Sequence, residues 1–466
     1  MDARHLRRDA LEIWAAGVAA VDSAELVRNT IRLNPQILSI GETELPLSQI
    51  GRIEIVGAGK AGTGMALGAQ DALTSIPPNI QVSGWVNVPE DCLPRKEQTT
   101  GLIHSSRVHL HPARPAGINE PTRQAVNGTT EILRRVSALN HNDVCIVLIS
   151  GGGSALLCQP VPEISLAEKL QVTRLLASGG ANINELNCVR THLSMVKGGG
   201  LRKACRAGHL FTLIISDVIG DPVSVIASGP TVETRSSAAD AITVLKQRGL
   251  WDSPATPASI LAYLRKRADM PPEINTPAGG TRSFNLVIGN NRSAIEASSK
   301  AALALGYQMV EPEFDQQGDA ASEGYRLQMA LQGIRDAAPN RKFCLLSGGE
   351  PTVQLKALPA GAPRKGGRNQ ELVLAAINAS RDPDNWKNIA LLSGGTDGED
   401  GPTDAAGAVA DAELVRRMQS SQLDPADFLL VNNSYPFFEQ LDGLVKSGPT
   451  HTNVMDLRVG LTGRQD

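Results

Sequence analysis

The chain has 466 residues, 45 basic against 48 acidic side chains and a formal net charge of −3, a balance that gives no electrostatic case for nucleic acid or an anionic membrane and leaves small molecules as the expected partners. Its length exceeds one ordinary core and predicts roughly two to three domains. The six cysteines are scattered without a C-x-x-C pair, which argues against a disulfide framework or a zinc ribbon and fits a reducing compartment.

The opening stretch MDARHLRRDALEIWAAGVAAVDSAEL begins basic and turns apolar, but Asp9 and Glu12 interrupt it, and Leu11, Trp14, Val18 and Val21 fall on one helical face. That spacing predicts an amphipathic helix packed on a domain rather than a leader. Nowhere does an apolar run reach the length that spans a bilayer, so the protein is expected to be soluble and cytoplasmic.

The next signal is GRIEIVGAGKAGTG, residues 51 to 64, in which an apolar strand breaks into Gly57, Gly59 and Gly62 in the G-x-G-x-x-G order. The glycines suit a dinucleotide site or equally a tight strand-to-helix turn. A dinucleotide site also wants an acidic residue at the end of the following strand. That strand, IQVSGWVNV, ends in Val86, Asn87 and Val88, with Glu90 only in the turn beyond. Lys60 adds a cation inside the turn and suits a phosphate or carboxylate. The stretch is no phosphate loop of the G-x-x-x-x-G-K-[ST] kind, because Glu54 and Ala61 stand where glycine and a hydroxyl are needed.

Further along, DVCIVLISGGGSALL, HLFTLIISDVIGD, SFNLVIGNN, KFCLLSGGEPTV and NIALLSGGTDGEDG lack polar alternation, as strands buried on both faces do, and helix-compatible stretches lie between them. The pattern predicts an α/β protein with mostly parallel sheets. The strongest break in composition is ADMPPEINTPAGGTRS, residues 268 to 283, which predicts a boundary between residues 1–270 and residues 281–466. Three strands end alike, at Ser150-Gly151-Gly152, Ser347-Gly348-Gly349 and Ser393-Gly394-Gly395. Ligands of parallel sheets gather at the carboxyl ends of strands, so both domains are expected to contribute to a cleft between them.

Candidate chemistry clusters at these ends. Gly151, Gly152, Gly153 and Ser154 suit phosphate oxygens, although an ordinary glycine turn reads the same way. In NCVRTHLSMVKGGG, Arg190, Ser194 and Lys197 stand at helical spacing before Gly198, which fits an anion-facing surface or a capped helix end. Ser194 and Lys197 also match an S-x-x-K pair with Lys446-Ser447-Gly448 as a loose third motif, but Val218 follows Asp217 where an acyl-enzyme of that kind needs asparagine. Asp217 and Asp221 follow a buried strand and could hold Mg²⁺ together with phosphate oxygens, or be solvated loop residues. Asp397, Glu399, Asp400 and Asp404 carry the same ambiguity. Arg368 and Asn369 open a helix after a flexible loop, where an arginine can clamp a carboxylate or phosphate. His111 and His451 read as packing or turn residues.

In order and over nearly the whole chain, GAGKAG, the His111-Pro112 pair, SGGGSALL, VRTHLSMVKGG, SDVIGDPVSVIASGPT, SGGEPTV, GGRNQE and SGGTDGEDGPTDAAGA resemble the glycerate 2-kinase family. One departure lies in HLHPARPAG, where Leu110 and Ala116 replace the family's glycine and aspartate. The resemblance implies a larger Rossmann-like N-terminal domain, a smaller α/β C-terminal domain and an active site in the cleft between them. It implies transfer of the γ-phosphoryl group of ATP to the carbon-2 hydroxyl of D-glycerate, with catalytic roles for Lys60 and Arg368. On this expectation Arg368 binds the glycerate carboxylate, with Ser194, Arg190, Asn369 and Glu350 also on the substrate side. Lys60, the glycine loops, Lys197 and Gly198 neutralise phosphate, Mg²⁺ lies near Asp217 or Asp221, and Asp397 is the candidate base. The protein is expected to act as a monomer or homodimer. The alternatives are an NAD(P)-dependent hydroxypyruvate reductase, which needs a nicotinamide pocket and a proton donor paired to a carbonyl, and a nucleotide-binding regulatory protein without activity.

Overall fold

The computed structural model describes residues 3–93, 107–115, 118, 120–270, 280–357, 361 and 364–464. Ala116 and most of the proline- and glycine-rich break, residues 271–279, lie outside the described residues. The chain divides into two compact units, one of Ser23–Ile288 and one of Met1–Asp22 with Gly289–Asp466. The division therefore falls at 288/289 instead of between 270 and 281, and the N-terminal helix belongs with the C-terminal half instead of with the first domain.

In the unit Ser23–Ile288, a small antiparallel sheet of β1 (Ile31–Leu33), β2 (Ile37–Ile40) and β3 (Thr43–Pro46) precedes the main one. The main sheet holds β4 (Arg52–Ala58), β5 (Gln81–Pro89), β6 (Val108–Arg114), β7 (Val144–Ile149), β8 (His209–Ile215) and β9 (Arg282–Gly289). Their order is β6-β5-β4-β7-β8-β9, and β6, β5, β4, β7 and β8 run parallel. All of β7 and nearly all of β4 and β8 are buried, which explains the missing alternation: helices cover both faces. The chain leaves β4 toward β5 and β6 and returns through the helix Arg123–Ser137 to β7 on the other side of β4. The order of strands thus reverses between β4 and β7, and a crevice opens outside their carboxyl ends, the usual ligand position in such sheets.

The other unit carries β10 (Gln308–Met309), β11 (Glu313–Gln316), β12 (Phe343–Gly349), β13 (Ile389–Gly395), β14 (Gly407–Asp411), β15 (Leu444–Val445) and β16 (Asp456–Thr462). Here the expectation of a mostly parallel sheet fails. Only β10 and β11 run parallel to β12, whereas β12–β16, β16–β13, β13–β14 and β14–β15 are antiparallel. An unbroken apolar run reports burial on both faces and carries no information about strand direction.

Neighbouring residues in these strands serve opposite cores. Leu345 and Leu391 pack with Leu372 and Leu331 on one face, while Leu346 and Leu392 pack with Leu6, Ile13 and Trp14 of the N-terminal helix Ala3–Ala19 on the other. Burying each of these large side chains contributes about 1.5–3 kcal/mol. The expected amphipathic face is present, although Leu11 and Val18 are its half-buried margin. Trp14 Nε1 donates to the Gly394 carbonyl at 3.3 Å and Tyr307 Oη donates to Asp9 Oδ2 at 2.8 Å, fixing this helix on the C-terminal sheet. Among the described residues, no helix is long and apolar enough to cross a membrane.

Candidate active site

At the crevice between β4 and β7 the two glycine motifs meet. The Lys60 amide donates to the Gly151 carbonyl at 2.8 Å, and the Ala61 amide donates to Ser150 Oγ at 3.0 Å. Gly59 has φ +154 and lies so close to Ser150 that a Cβ would overlap its hydroxyl, so only glycine fits there. Lys60 and the loop Gly151–Gly153 therefore form one structural feature.

The same geometry bears on the dinucleotide alternative. Asn87, near the end of β5, is fully buried; its Nδ2 donates to the Leu156 carbonyl at 2.9 Å and its Oδ1 accepts from Trp85 Nε1 at 3.1 Å. Its polar groups are engaged in the protein where a dinucleotide site needs a carboxylate facing ribose.

Behind the glycine loop, Lys197 draws three motifs together. Its Nζ donates to the Ser154 carbonyl at 3.0 Å, to Ser154 Oγ and Ser228 Oγ at 3.3 Å each, and to the Ala227 carbonyl at 3.4 Å. Burial drives its pKa well below the ordinary lysine value, nearby Arg190 and Lys169 push the same way, and Cys158 opposes them. Lys197 braces the loop here with an ammonium already surrounded by protein oxygens. The Gly198 amide donates to the Ser228 carbonyl at 2.9 Å.

Arg190, Ser194 and Lys197 do not share a helical face. The helix Ile183–His192 ends before Ser194, which bridges to Pro160. Ser194 Oγ accepts from the Val196 and Lys197 amides at 3.4 Å each and donates to the Gln159 carbonyl at 3.2 Å. A serine hydroxyl that captures amides two and three positions on offers the backbone an alternative to helix. Arg190, in the helix's last turn, has its pKa lowered by burial against an opposing effect of Cys158. A cavity of about 400 Å³ opens beside this region, lined by Asn187, Thr191, Gly198, Val225 and Ser228 among others.

Asp217 and Asp221 are half-buried in the loop after β8, and Asp221 adopts a left-handed φ of 53. Among the described residues no group of three or more His, Cys, Asp or Glu side chains is arranged to hold a metal. Mg²⁺ keeps waters and phosphate oxygens in most of its coordination sphere and asks for only one or two protein carboxylates.

The second cluster lies at the carboxyl ends of β12 and β13. Arg368 is the first residue of the helix Arg368–Ala379. Its Nε and Nη2 donate to Asp456 Oδ2 and Oδ1 at 2.7 and 3.0 Å, and its Nη1 pairs with Glu350 Oε1 at 3.0 Å. Asp456 opens β16, which runs between β12 and β13 and places Asp456 opposite both Gly349 and Gly395. Asp400 is almost fully buried and accepts from the Asn369 and Gln370 amides at 3.0 and 2.8 Å, capping the helix from a distant loop. Burial lifts its pKa to about 7 against the pull of those two amides; Asp456 adds to the rise and Arg368 opposes it. Asn369 Oδ1 accepts from Ser393 Oγ at 2.6 Å. Arg458, wholly buried, donates to Ser347 Oγ at 3.1 Å and to the Gly349 carbonyl at 3.4 Å.

Arg368 and Glu350 thus meet, while the side chain of Asn369 turns to Ser393 and Asp400. Asp397 Oδ1 accepts from the Glu399 amide at 3.2 Å and lies 3.1 Å from the position a Cβ would take on Gly395, with Asp456 Oδ1 3.6 Å from the same position. The two-pronged edge of Arg368 that was expected to clamp a substrate carboxylate lies on Asp456. Sequence reasoning missed Asp456 and Arg458, because DLRVGLT reads as an unremarkable short strand whose only signal is two opposite charges at the alternate positions of a buried run.

The chain's relatives agree with this architecture. Residues 9–265 match the family described as a domain of unknown function, DUF4147, and residues 343–456 match the MOFRL family. Human glycerate kinase is 37% identical over 499 residues, covering 97% of this chain and 92% of that protein. An Agrobacterium vitis protein named putative hydroxypyruvate reductase is 34% identical, covering 97% and 93%. The crystal structure of glycerate kinase from Thermotoga maritima matches with a TM-score of 0.78 at 30% identity, over 99% of this chain and 100% of that one. A Pyrococcus horikoshii OT3 crystal structure matches with the same TM-score of 0.78 at 28% identity. Fold and sequence define a two-unit α/β phosphotransferase with an alcohol group as acceptor. The chain belongs to the glycerate kinase family.

Proposed function

We propose that this protein transfers the γ-phosphoryl group of ATP to the carbon-2 hydroxyl of D-glycerate, giving 2-phosphoglycerate and ADP. The observation that carries the reading is the meeting of Lys60 with the loop Gly151–Gly153 at the reversal point of the parallel sheet. Phosphoryl transfer asks for positioning and for cations around charged oxygens, with little covalent work by side chains. The bond between the γ-phosphorus and the β,γ-bridging oxygen breaks, a bond from phosphorus to the carbon-2 oxygen forms, and the hydroxyl proton passes to a carboxylate, for which Asp397 is the candidate.

Lys60 and the glycine amides stabilise charge on the moving group. Asp217 and Asp221 would hold Mg²⁺, which when bound neutralises nucleotide oxygens. Glycerate's carboxylate meets Arg368 on the side now facing Glu350. That exchange costs little, because the pair is 33% and 48% exposed and such surface pairs contribute about 0.2–1 kcal/mol. Arg190, Ser194 and Asn369 serve the substrate side, and the reaction is placed in the cytoplasm.

The test is ATP consumption dependent on D-glycerate, run beside NADH oxidation dependent on hydroxypyruvate, with phosphorus NMR of the product to separate the 2- from the 3-phosphate. Oxidation of NADH without ATP consumption overturns the reading.

A further inference from the structure

Along SVIASGPT, residues 224 to 231, Ala227, Ser228 and Gly229 adopt left-handed φ values of 51, 61 and 59 in succession. Only the glycine does so without steric penalty, and residues with side chains held this way concentrate where a binding surface needs a fixed shape. Lys197 holds the segment by donating to the Ala227 carbonyl and the Ser228 hydroxyl. Ser228 Oγ also lies 2.9 Å from Ser154 Oγ and donates to Asn187 Oδ1 at 2.9 Å. Ser228 thus belongs to two features: it touches the end of the glycine loop and lines the cavity of about 400 Å³.

The volume of that cavity falls within the range of about 300–1,000 Å³ usual for pockets that enclose drug-sized molecules, and glycerate is far too small to fill it. Val223, Val225 and Val232 give it an apolar part, and its charged members, Glu233 and Arg235, are one of each sign. Such a lining suits an uncharged group with an apolar body and polar edges better than an anion, whose burial needs opposite charge. Asn187 also lines the cavity, and its Nδ2 is buried without a hydrogen-bond partner among the described residues. A buried donor left in this way is explained by an acceptor that the chain itself does not supply. We infer that the cavity is the nucleoside pocket of the phosphoryl donor: the adenine and ribose of ATP lie against the valines, Asn187 donates to an acceptor atom of the nucleoside, and the phosphates run past Ser228 toward the glycine loop. This rests on the ATP-dependent reading above and adds a place for the uncharged half of the nucleotide, which no glycine or lysine motif of the chain marks.

The experiment titrates the full chain with ADP, inorganic tripolyphosphate and D-glycerate by calorimetry, using wild type, Val225→Trp and Asn187→Ala, with melting curves for each. Val225→Trp, which fills the cavity, should weaken ADP by about tenfold or more, and Asn187→Ala should weaken it by about three- to tenfold. Tripolyphosphate and glycerate should change by less than about twofold in either variant. ADP affinity unchanged in Val225→Trp, an equal loss for tripolyphosphate or glycerate, or no ADP binding by wild type overturns the inference.

If the variants fail to fold, alkylation of Cys188 in wild type, mapped by peptide mass, decides instead, because this half-buried thiol lines the same cavity. Adenosine and ADP should slow its alkylation and tripolyphosphate should not; indifference to both adenosine and ADP refutes the pocket. Neither measurement needs turnover. Lack of glycerate-dependent ATP consumption, with Cys188 protected by adenosine, would therefore sink the proposed function and leave the pocket standing. An active kinase in which adenosine and ADP leave Cys188 unprotected would do the reverse.

Discussion

Arg368 and Asp456, separated by 88 positions, are joined by two parallel hydrogen bonds of 2.7 and 3.0 Å, and the carboxylate end of this pair is completely buried. A buried anion of this kind orients the guanidinium that binds it, much as an outer partner orients a metal ligand.

Asp456→Asn should consequently do more than remove a charge, since it turns an amide N–H toward guanidinium donors. We expect a loss of about 2–3 kcal/mol in urea unfolding, below the range for a fully buried pair because the Arg368 side chain is 33% exposed and water screens it. Glu350→Gln, on the exposed side of the same arginine, should cost under about 1 kcal/mol. Equal effects of the two would show that the buried prong has no special role.

Lys60→Met should lower turnover by roughly two to three orders of magnitude with an unchanged melting temperature, as removal of one charge-stabilising group does. Turnover within about threefold of wild type would refute the assignment.

Lys197→Met should behave in the opposite way. It strips a donor from the Ser154 and Ala227 carbonyls and from two serine hydroxyls, and a buried acceptor left unpaired costs about 1–3 kcal/mol. The melting temperature should therefore fall by several degrees. A variant that melts like wild type but binds ATP poorly would make Lys197 a phosphate ligand instead of a brace.

Asp400, with a pKa lifted to about 7, makes stability depend on pH. The folded protein holds this proton between the unfolded carboxyl value near 4 and about 7, so the folded state binds more protons there and stability falls as pH rises through that window. Urea unfolding at several values between about pH 4 and 8 should show a declining contribution in wild type that Asp400→Asn lacks. Parallel curves for the two proteins would exclude a raised pKa at Asp400.

What the linear chain determined was local. The run of apolar residues before Gly57, the Ser-Gly-Gly strand ends, Lys60 within a glycine turn and the amphipathic spacing around Trp14 each depend on neighbours a few positions away, and backbone sterics and periodicity enforce them wherever they occur. Tertiary structure alone decided the rest. Strand direction in the second sheet, the insertion of β16 between two glycine-ended strands, the docking of the first helix on the C-terminal unit and the partnership of Arg368 with Asp456 are pairings between distant segments. Apolar burial favours them without regard to order along the chain, and a lone Asp456 carries no periodic or steric mark of the neighbour it will meet.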